Sequence, residues 1–365
     1  MSKNFLLIAA GGTGGHMFPA QALSDLMLSR GWRVKLSTDL RGMSFAGEFS
    51  PLVSMEVTNS GAFSGVGLSR KLFVPFKIIS GIISILKSFK KDRPDIVIGF
   101  GGYPTIPPLL VAKFLKIPII LHEQNGVLGL VNKMFSKYAN AVASGTLSTK
   151  LPDGVKENFT GNPVRPAIIQ RAGSPYIPPG DYPMSILVIG GSQGAKILSE
   201  IVPQSLGALP KSILKQIRVI HQARDQDKIA VLAAYESLNI PAVVKPFFTD
   251  IGNKIAEAQL IISRAGASSV ADISIVGRPS ILVPFAAATN DHQTVNAASS
   301  AELGASVVIS EAELTIPGLS KVVESILSDS FLANKMAKAA LKVGNPDSSY
   351  KLMELVEEVS GGVQI

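Results

Sequence analysis

One local order occurs twice in this chain: a short apolar run, a glycine cluster, then a helical pattern. The first copy runs from Phe5–Ala10 into Gly11-Gly12-Thr13-Gly14-Gly15-His16, and the second from Ser185–Ile189 into Gly190-Gly191-Ser192-Gln193-Gly194-Ala195. A buried strand that ends in glycines and turns into a helix aims backbone N–H groups and a positive dipole end at one point, which suits phosphate. Two such points suggest two phosphorylated ligands, and a transfer between them rather than storage of one.

The rest of the chain keeps the alternation. Further β-branched or apolar runs lie at Arg33–Ser37, Asp95–Phe100, Ile117–Leu121, Ala139–Ala143, Arg218–Ile220, Leu260–Ser263 and Ser280–Pro284, separated by longer helical patterns. This is the signature of βα units around parallel sheets, so the expected class is α/β with two Rossmann-like domains. A chain of 365 residues accommodates two cores of ordinary size. The prolines and glycines of Ala172–Pro183 read as a connection, giving a first domain over 1–165, a linker over 166–183 and a second domain over 184–345, with a last helix in 346–365. Ligands of such folds bind at the carboxyl ends of the strands, and two crevices of this kind can face one cleft.

Composition narrows the classes. Hydrophobic residues make up 46% of the chain, yet Lys, Pro or Ser-Gly interrupts every apolar stretch before the roughly 18 to 20 residues that a membrane span needs. The opening run is too short for a secretory leader and ends in glycines. With no cysteine there is neither a disulfide framework nor a thiolate metal site, as expected of a cytoplasmic chain. The net charge of +8 favours an anionic partner.

Neither glycine loop fits a familiar nucleotide fingerprint. From Gly12, the G-x-G-x-x-G spacing places Met17 where the third glycine belongs, and Asp39, a candidate ribose acid, lies 27 residues on rather than about 20. The Lys-Ser/Thr ending of a P-loop is missing from both, which disfavours ATP hydrolysis. His16, where the first loop enters its helix, suits a general base, or else shapes the turn by donating to a backbone carbonyl. His122-Glu123-Gln124-Asn125 places four polar residues after an apolar strand. Ser263–Asp272 repeats the strand, glycine turn and helix, so that the helix start at Ala267, Ser268 and Ser269 can take a diphosphate and Asp272 a ribose hydroxyl, the alternative being ordinary N-capping. Asn290–Asn296, which includes Gln293, offers amides to sugar hydroxyls. Arg165, in Gly161-Asn162-Pro163-Val164-Arg165, can meet an anion or pair with a carboxylate. The four histidines lack metal-ligand spacing, so neither a metal nor another cofactor is expected.

The segment 68–93 carries seven basic residues and one acid, interleaved with Leu72, Phe73, Phe76, Ile79, Ile82, Ile83, Leu86 and Phe89 near helical spacing. With Lys87 and Lys90 among its cations, this is the pattern of a helix lying on an anionic membrane surface. The alternative is a core helix with a solvated basic face. An RNA surface is disfavoured, because the aromatics are few and no RNA-binding signature is present.

Taken in order, GGTGGH (11–16), GGYPT (101–105), HEQN (122–125), GNPVR (161–165), GGSQGA (190–195), SRAGASSVAD (263–272) and DHQTVNA (291–297) resemble the MurG family over nearly the whole chain. That family comprises the peripheral membrane N-acetylglucosaminyltransferases of peptidoglycan synthesis. The resemblance implies the GT-B architecture, two Rossmann-like domains facing a cleft with the last helix crossing back to the first. It implies transfer of N-acetylglucosamine, with inversion, from UDP-N-acetylglucosamine to the 4-hydroxyl of undecaprenyl-diphospho-muramoyl-pentapeptide, at the cytoplasmic face of the cell membrane. By position, Thr13, Gly14, Gly15, Asn125, Arg165, Ser192 and Gln293 would bind the donor, with Ala267–Ser269 on its phosphates and Phe248 against uracil. Asp272, where the family often has Glu, would face the ribose. His16 and the Gly101-Gly102-Tyr103 turn would receive the acceptor diphosphate. His16 is the first candidate for the base and Glu123 the second.

Overall fold

The computed structural model describes residues 4–60, 74–147, 149–191 and 194–361. It divides into two compact units, one made of Met1–Arg165 with Asp347–Ile365 and the other of Pro166–Pro346.

The first unit is built on β1 (Phe5–Ala9), β2 (Arg33–Thr38), β3 (Ser54–Val57), β4 (Ile96–Gly99), β5 (Ile119–Glu123), β6 (Ala141–Ser144) and β7 (Glu157–Phe159). Its strands are all parallel, in the order β3-β2-β1-β4-β5-β6-β7. The second unit repeats the plan with β8 (Met184–Ile189), β9 (Ile217–Gln222), β10 (Ala242–Lys245), β11 (Leu260–Ser263), β12 (Ser280–Leu282) and β13 (Ser306–Val308), in the order β10-β9-β8-β11-β12-β13. Both orders are of the Rossmann type, reversing direction beside the first strand, between β1 and β4 and again between β8 and β11. The crevice that binds ligands in such sheets opens at that reversal. Each glycine cluster therefore leaves the sheet at a switch point.

Side-chain alternation divides the first unit's core between the two faces of its sheet. Leu6, Ile8, Ile96, Ile98 and Ile120 pack with helix Gly14–Ser29 on one face. Leu7, Val97, Ile119 and Leu121 pack on the other with Ile85 and Phe89 of helix Val74–Lys91 and with Leu109 and Val111 of helix Ile106–Phe114. The first face is completed from the far end of the chain. Helix Ser348–Ser360 buries Leu352, Met353, Leu355, Val356 and Val359 there, each worth about 1.5–3 kcal/mol of transfer free energy, and Ser348 Oγ donates to Asn162 O at 2.8 Å. This is the return of the last helix to the first domain.

Residues 166–183 do not form a detached connector. Pro166–Ile169 is a short helix with Ile168 fully buried, and the segment is held to the second unit by the guanidinium of Arg278. Arg278 is 1% exposed and donates to the carbonyls of Ser174, Pro175, Ala256, Val276 and Gly277 at 2.6–3.1 Å, while Tyr176 Oη donates to Gln259 O at 2.8 Å. Burial pulls the Arg278 pKa down to about 10, still far enough above neutrality for the group to stay charged.

Among the described residues no helix is long and apolar enough to cross a membrane. Helix Val74–Lys91 turns Ile85 and Phe89 into the core and leaves Phe76, Ile79, Ile83, Lys87 and Lys90 exposed. Ile82, expected on the outward stripe, instead packs half-buried against the core, because its place on the helix lies toward the sheet. Leu72 and Phe73 lie outside the described residues.

Candidate functional site

In the first unit the loops after β1, β2, β4 and β5 gather at the carboxyl end of the sheet. Gly12 and Gly101 both have φ of +92° and Gly102 has +83°, backbone that only glycine adopts without strain. Thr13 caps helix Gly14–Ser29 in an extended conformation, and its carbonyl takes the N–H groups of His16 and Met17. The N–H groups of Gly14 and Gly15, with no carbonyl one turn earlier, are left for a ligand. A side chain at Gly14 would place its Cβ 2.7 Å from the Phe18 ring, and the Arg165 guanidinium stacks on that ring at 4.3 Å from its centroid. Two expected donor contacts are thus joined through one aromatic side chain.

His16 is half-buried, and its Nδ1 lies 2.8 Å from Gly11 O. A carbonyl oxygen only accepts, so Nδ1 carries the proton and the neutral ring keeps its lone pair on Nε2. That nitrogen faces the turn after β4, 3.5 Å from where a Cβ on Gly101 would be. The two roles considered for His16 are compatible, since the turn-shaping bond is what leaves Nε2 basic. Tyr103 follows this turn, half-buried against the core.

Glu123 is placed differently from a base. It is 2% exposed; Oε1 accepts from Asn125 N and Nδ2 at 3.1 and 3.0 Å, and Oε2 from Gly129 N and Asn132 Nδ2 at 2.8 and 2.9 Å. Four donors occupy the four lone-pair sites of a carboxylate. Glu123 therefore braces the loop that carries Asn125 and leaves no oxygen open to a substrate proton. His122 is a core histidine, with Nε2 donating to Gly161 O at 3.1 Å and Nδ1 accepting from Gln124 Nε2 at 3.0 Å, and burial lowers its pKa to about 4. Asp39 is no ribose ligand, because Oδ1 takes the backbone N–H groups of Gly12 and Gly42. Asn132, buried beneath Gly101, belongs to no glycine cluster, and its sequence context gave no sign of it.

In the second unit, pairing of β8 with β11 sets Gly190-Gly191 beside Arg264–Ser269, with Arg264 N donating to Ile189 O at 3.1 Å. Gln222 Nε2 reaches both Gly191 O and Pro246 O, which brings the segment carrying buried Phe248 next to the glycine loop. Helix Ala267–Val276 starts after Gly266 without a side-chain cap, so the N–H groups of Ala267, Ser268 and Ser269 have no capping side chain, and Ser268 Oγ is buried with no partner among the described residues. An uncapped helix start beside a buried hydroxyl can offer its N–H and O–H donors to an anion. Asp272 stands half-buried one turn further on. Arg264 is committed to the fold: it donates to Val283 O and Pro284 O and pairs with Glu311. Gln293 Oε1 accepts from Phe285 N at 3.0 Å, which leaves its NH2 group as the donor for a ligand. Ser192 lies outside the described residues.

Comparison with known proteins gives the family. The Glycosyltransferase family 28 N-terminal domain matches residues 6–144 and the Glycosyltransferase family 28 C-terminal domain residues 185–352. A curated protein of Rhizobium meliloti (strain 1021), named UDP-N-acetylglucosamine--N-acetylmuramyl-(pentapeptide) pyrophosphoryl-undecaprenol N-acetylglucosamine transferase, is 43% identical over 371 residues, 99% of this chain and 97% of its own length. The chain belongs to glycosyltransferase family 28. A relative of the same name from Brucella canis is 38% identical over 363 residues, 99% of this chain and 96% of its own. Among solved structures, Acinetobacter baumannii MurG superposes with a TM-score of 0.79 at 30% identity, covering 98% of this chain and all of that one. A putative UDP-N-acetylglucosamine 2-epimerase of Listeria monocytogenes shares the fold at TM-score 0.70 and 14% identity, over 98% of this chain and 96% of that one. Family 28 membership makes the chain a glycosyltransferase.

Proposed function

We propose that this chain moves N-acetylglucosamine from UDP-N-acetylglucosamine to the 4-hydroxyl of undecaprenyl-diphospho-muramoyl-pentapeptide, lipid I to lipid II, in peptidoglycan synthesis. Near-full-length identity with curated transferases of that name supports the substrate pair. The observation that carries the chemistry is the His16 Nδ1–H bond to Gly11 O, which leaves Nε2 as the base.

The acceptor oxygen attacks C1 of the sugar from the face opposite UDP, the C1–O bond to the diphosphate breaks, and the hydroxyl proton passes to His16 Nε2. Negative charge then grows on the departing UDP, where the Ala267–Ser269 N–H groups and the Ser268 hydroxyl meet it. Thr13, Gly14, Gly15, Asn125, Arg165, Ser192, Phe248, Asp272 and Gln293 complete the donor set, and Gly101, Gly102 and Tyr103 the acceptor set.

The lipid acceptor calls for a membrane surface, and the first unit offers one. Phe76, Ile79 and Ile83 are exposed on one helix with Lys77, Lys87, Lys90 and Lys91, and the adjacent helix ends in Lys113 and Phe114, the latter 78% exposed. Each lysine near an anionic leaflet contributes about 1 kcal/mol, and the apolar side chains enter the interface. We infer peripheral attachment at the cytoplasmic face.

Incubation with radiolabelled UDP-N-acetylglucosamine and a lipid-linked muramoyl-pentapeptide tests the reading. Labelled lipid product is expected, and His16→Ala lowers its formation at least about a hundredfold while the acceptor still binds. Nucleotide-sugar binding without product would instead indicate a sensor.

A further inference from the structure

The first glycine loop is braced from a direction that the reaction scheme does not use. At the carboxyl end of β2, Asp39 Oδ1 accepts from Gly12 N at 3.2 Å and from Gly42 N at 2.8 Å, while Oδ2 accepts from Arg41 Nε at 3.2 Å. One carboxylate thus fixes the loop in its left-handed conformation and holds an arginine beside it. The Arg41 side chain is 64% exposed, and its Nη2 comes within 3.8 Å of where a Cβ on Gly12 would stand. Among the described residues, chain neighbours aside, no other atom lies within 4 Å of that position, so the guanidinium is the side chain that overlooks Gly12. His16 contacts the same loop through Gly11 O.

A carboxylate this close to a diphosphate subsite would by itself repel the ligand. Here its oxygens are taken by two N–H groups and a cation, and the cation has only its Nε committed to the ion pair. The guanidinium is planar, with five donors in a rigid fork, so anchoring one edge aims the remaining Nη groups in a defined direction. That geometry fits bidentate capture of phosphate oxygens.

We propose that Arg41, held by Asp39, is a ligand of the acceptor's diphosphate, and that Asp39 is the positioning residue for both Arg41 and the first glycine loop. The proposal rests on the reading of this loop as the acceptor subsite. Arg41 sets affinity for the lipid-linked anion and takes no part in proton transfer.

Steady-state kinetics with UDP-N-acetylglucosamine and a short-chain lipid-linked muramoyl-pentapeptide test it. Arg41→Gln raises the acceptor KM about tenfold to a hundredfold, the effect of one lost charge-assisted pair, and leaves kcat and the donor KM within about twofold. Arg41→Lys recovers part of the loss, because it keeps the charge without the fork. Asp39→Asn retains one oxygen for Gly12 and Gly42 but releases Arg41, so its acceptor KM rises less than that of Arg41→Gln and its thermal transition is kept. Because the side chain is mostly exposed, Arg41→Gln folds. An unchanged acceptor KM in Arg41→Gln overturns the proposal. Gly102→Ala, strained at its positive φ, then separates the two failures: a raised acceptor KM there means the acceptor subsite stands without Arg41, and an unchanged one means that the subsite reading has failed too.

Discussion

Replacing Glu123 with Gln isolates its role as a brace. The carboxylate takes two hydrogen bonds on each oxygen, from Asn125 N and Nδ2 and from Gly129 N and Asn132 Nδ2. An amide has one oxygen, so whichever way it is turned its NH2 group meets two of those donors. Hydrogen bonds to a charged group contribute about 1.5–3 kcal/mol each, which puts the loss of two at roughly 4 kcal/mol. For a unit of this size that is a fall of roughly 8–16 °C in the melting temperature. Differential scanning calorimetry of the full chain is expected to show this fall in the transition of the first unit alone. Turnover is lost in parallel with structure and returns on cooling. A catalytic base behaves in the opposite way, with the transition kept and kcat down by about a hundredfold or more. An unshifted first transition together with that loss of turnover would falsify the brace.

Each unit also holds one buried histidine, His122 and His221, and burial lowers both pKa values to about 4. The unfolded chain, with histidines near 6.5, binds more protons than the native one between those limits, so stability is full above about pH 6.5 and falls as pH drops toward 4. Each histidine gives a slope of about 1.4 kcal/mol per pH unit in that window, and His122→Gln or His221→Gln should flatten the acid side of one unit's transition; equal slopes in variant and parent would refute the assignment. Arg278→Met strips five carbonyls of their donor, and the second unit is expected to lose at least about 3 kcal/mol, read as its calorimetric transition. A transition unmoved by that change would mean that the guanidinium does not hold segment 166–183.

The central strands were legible in the sequence because each is buried on both faces and reads as a near-continuous apolar run, as Phe5–Ala9 and Met184–Ile189 do. The four strands that the runs do not announce, β3, β7, β10 and β13, are the four sheet edges. Edge strands here are short and partly solvated, so Ser54–Val57 and Glu157–Phe159 carry no apolar signature. Within the site, the glycine turns and the position of His16 could be read directly, because backbone needs dictate those residues. What could not be read was the use made of each carboxylate. Glu123 and Asp39 look like chemical groups in the sequence, and only the backbone and side-chain donors that converge on them show that both are spent on holding loops of the chain itself. Arg278 and Asn132 belong to no glycine cluster; two of the carbonyls that Arg278 binds, Ser174 and Pro175, lie about a hundred residues away, and Asn132 reaches back across a loop to His122 and Glu123.

The helix that completes the first unit's core is made only after the whole of the second unit. While the ribosome is still building residues 166–346, the sheet of the first unit has one face with Leu6, Ile8 and Ile98 short of their cover. The second unit, by contrast, is contiguous and can close as soon as it emerges. Folding order is therefore inverted relative to synthesis: the half begun first is finished last. A truncation near residue 346 would spare the later unit and leave the earlier one exposed to chaperones and proteases.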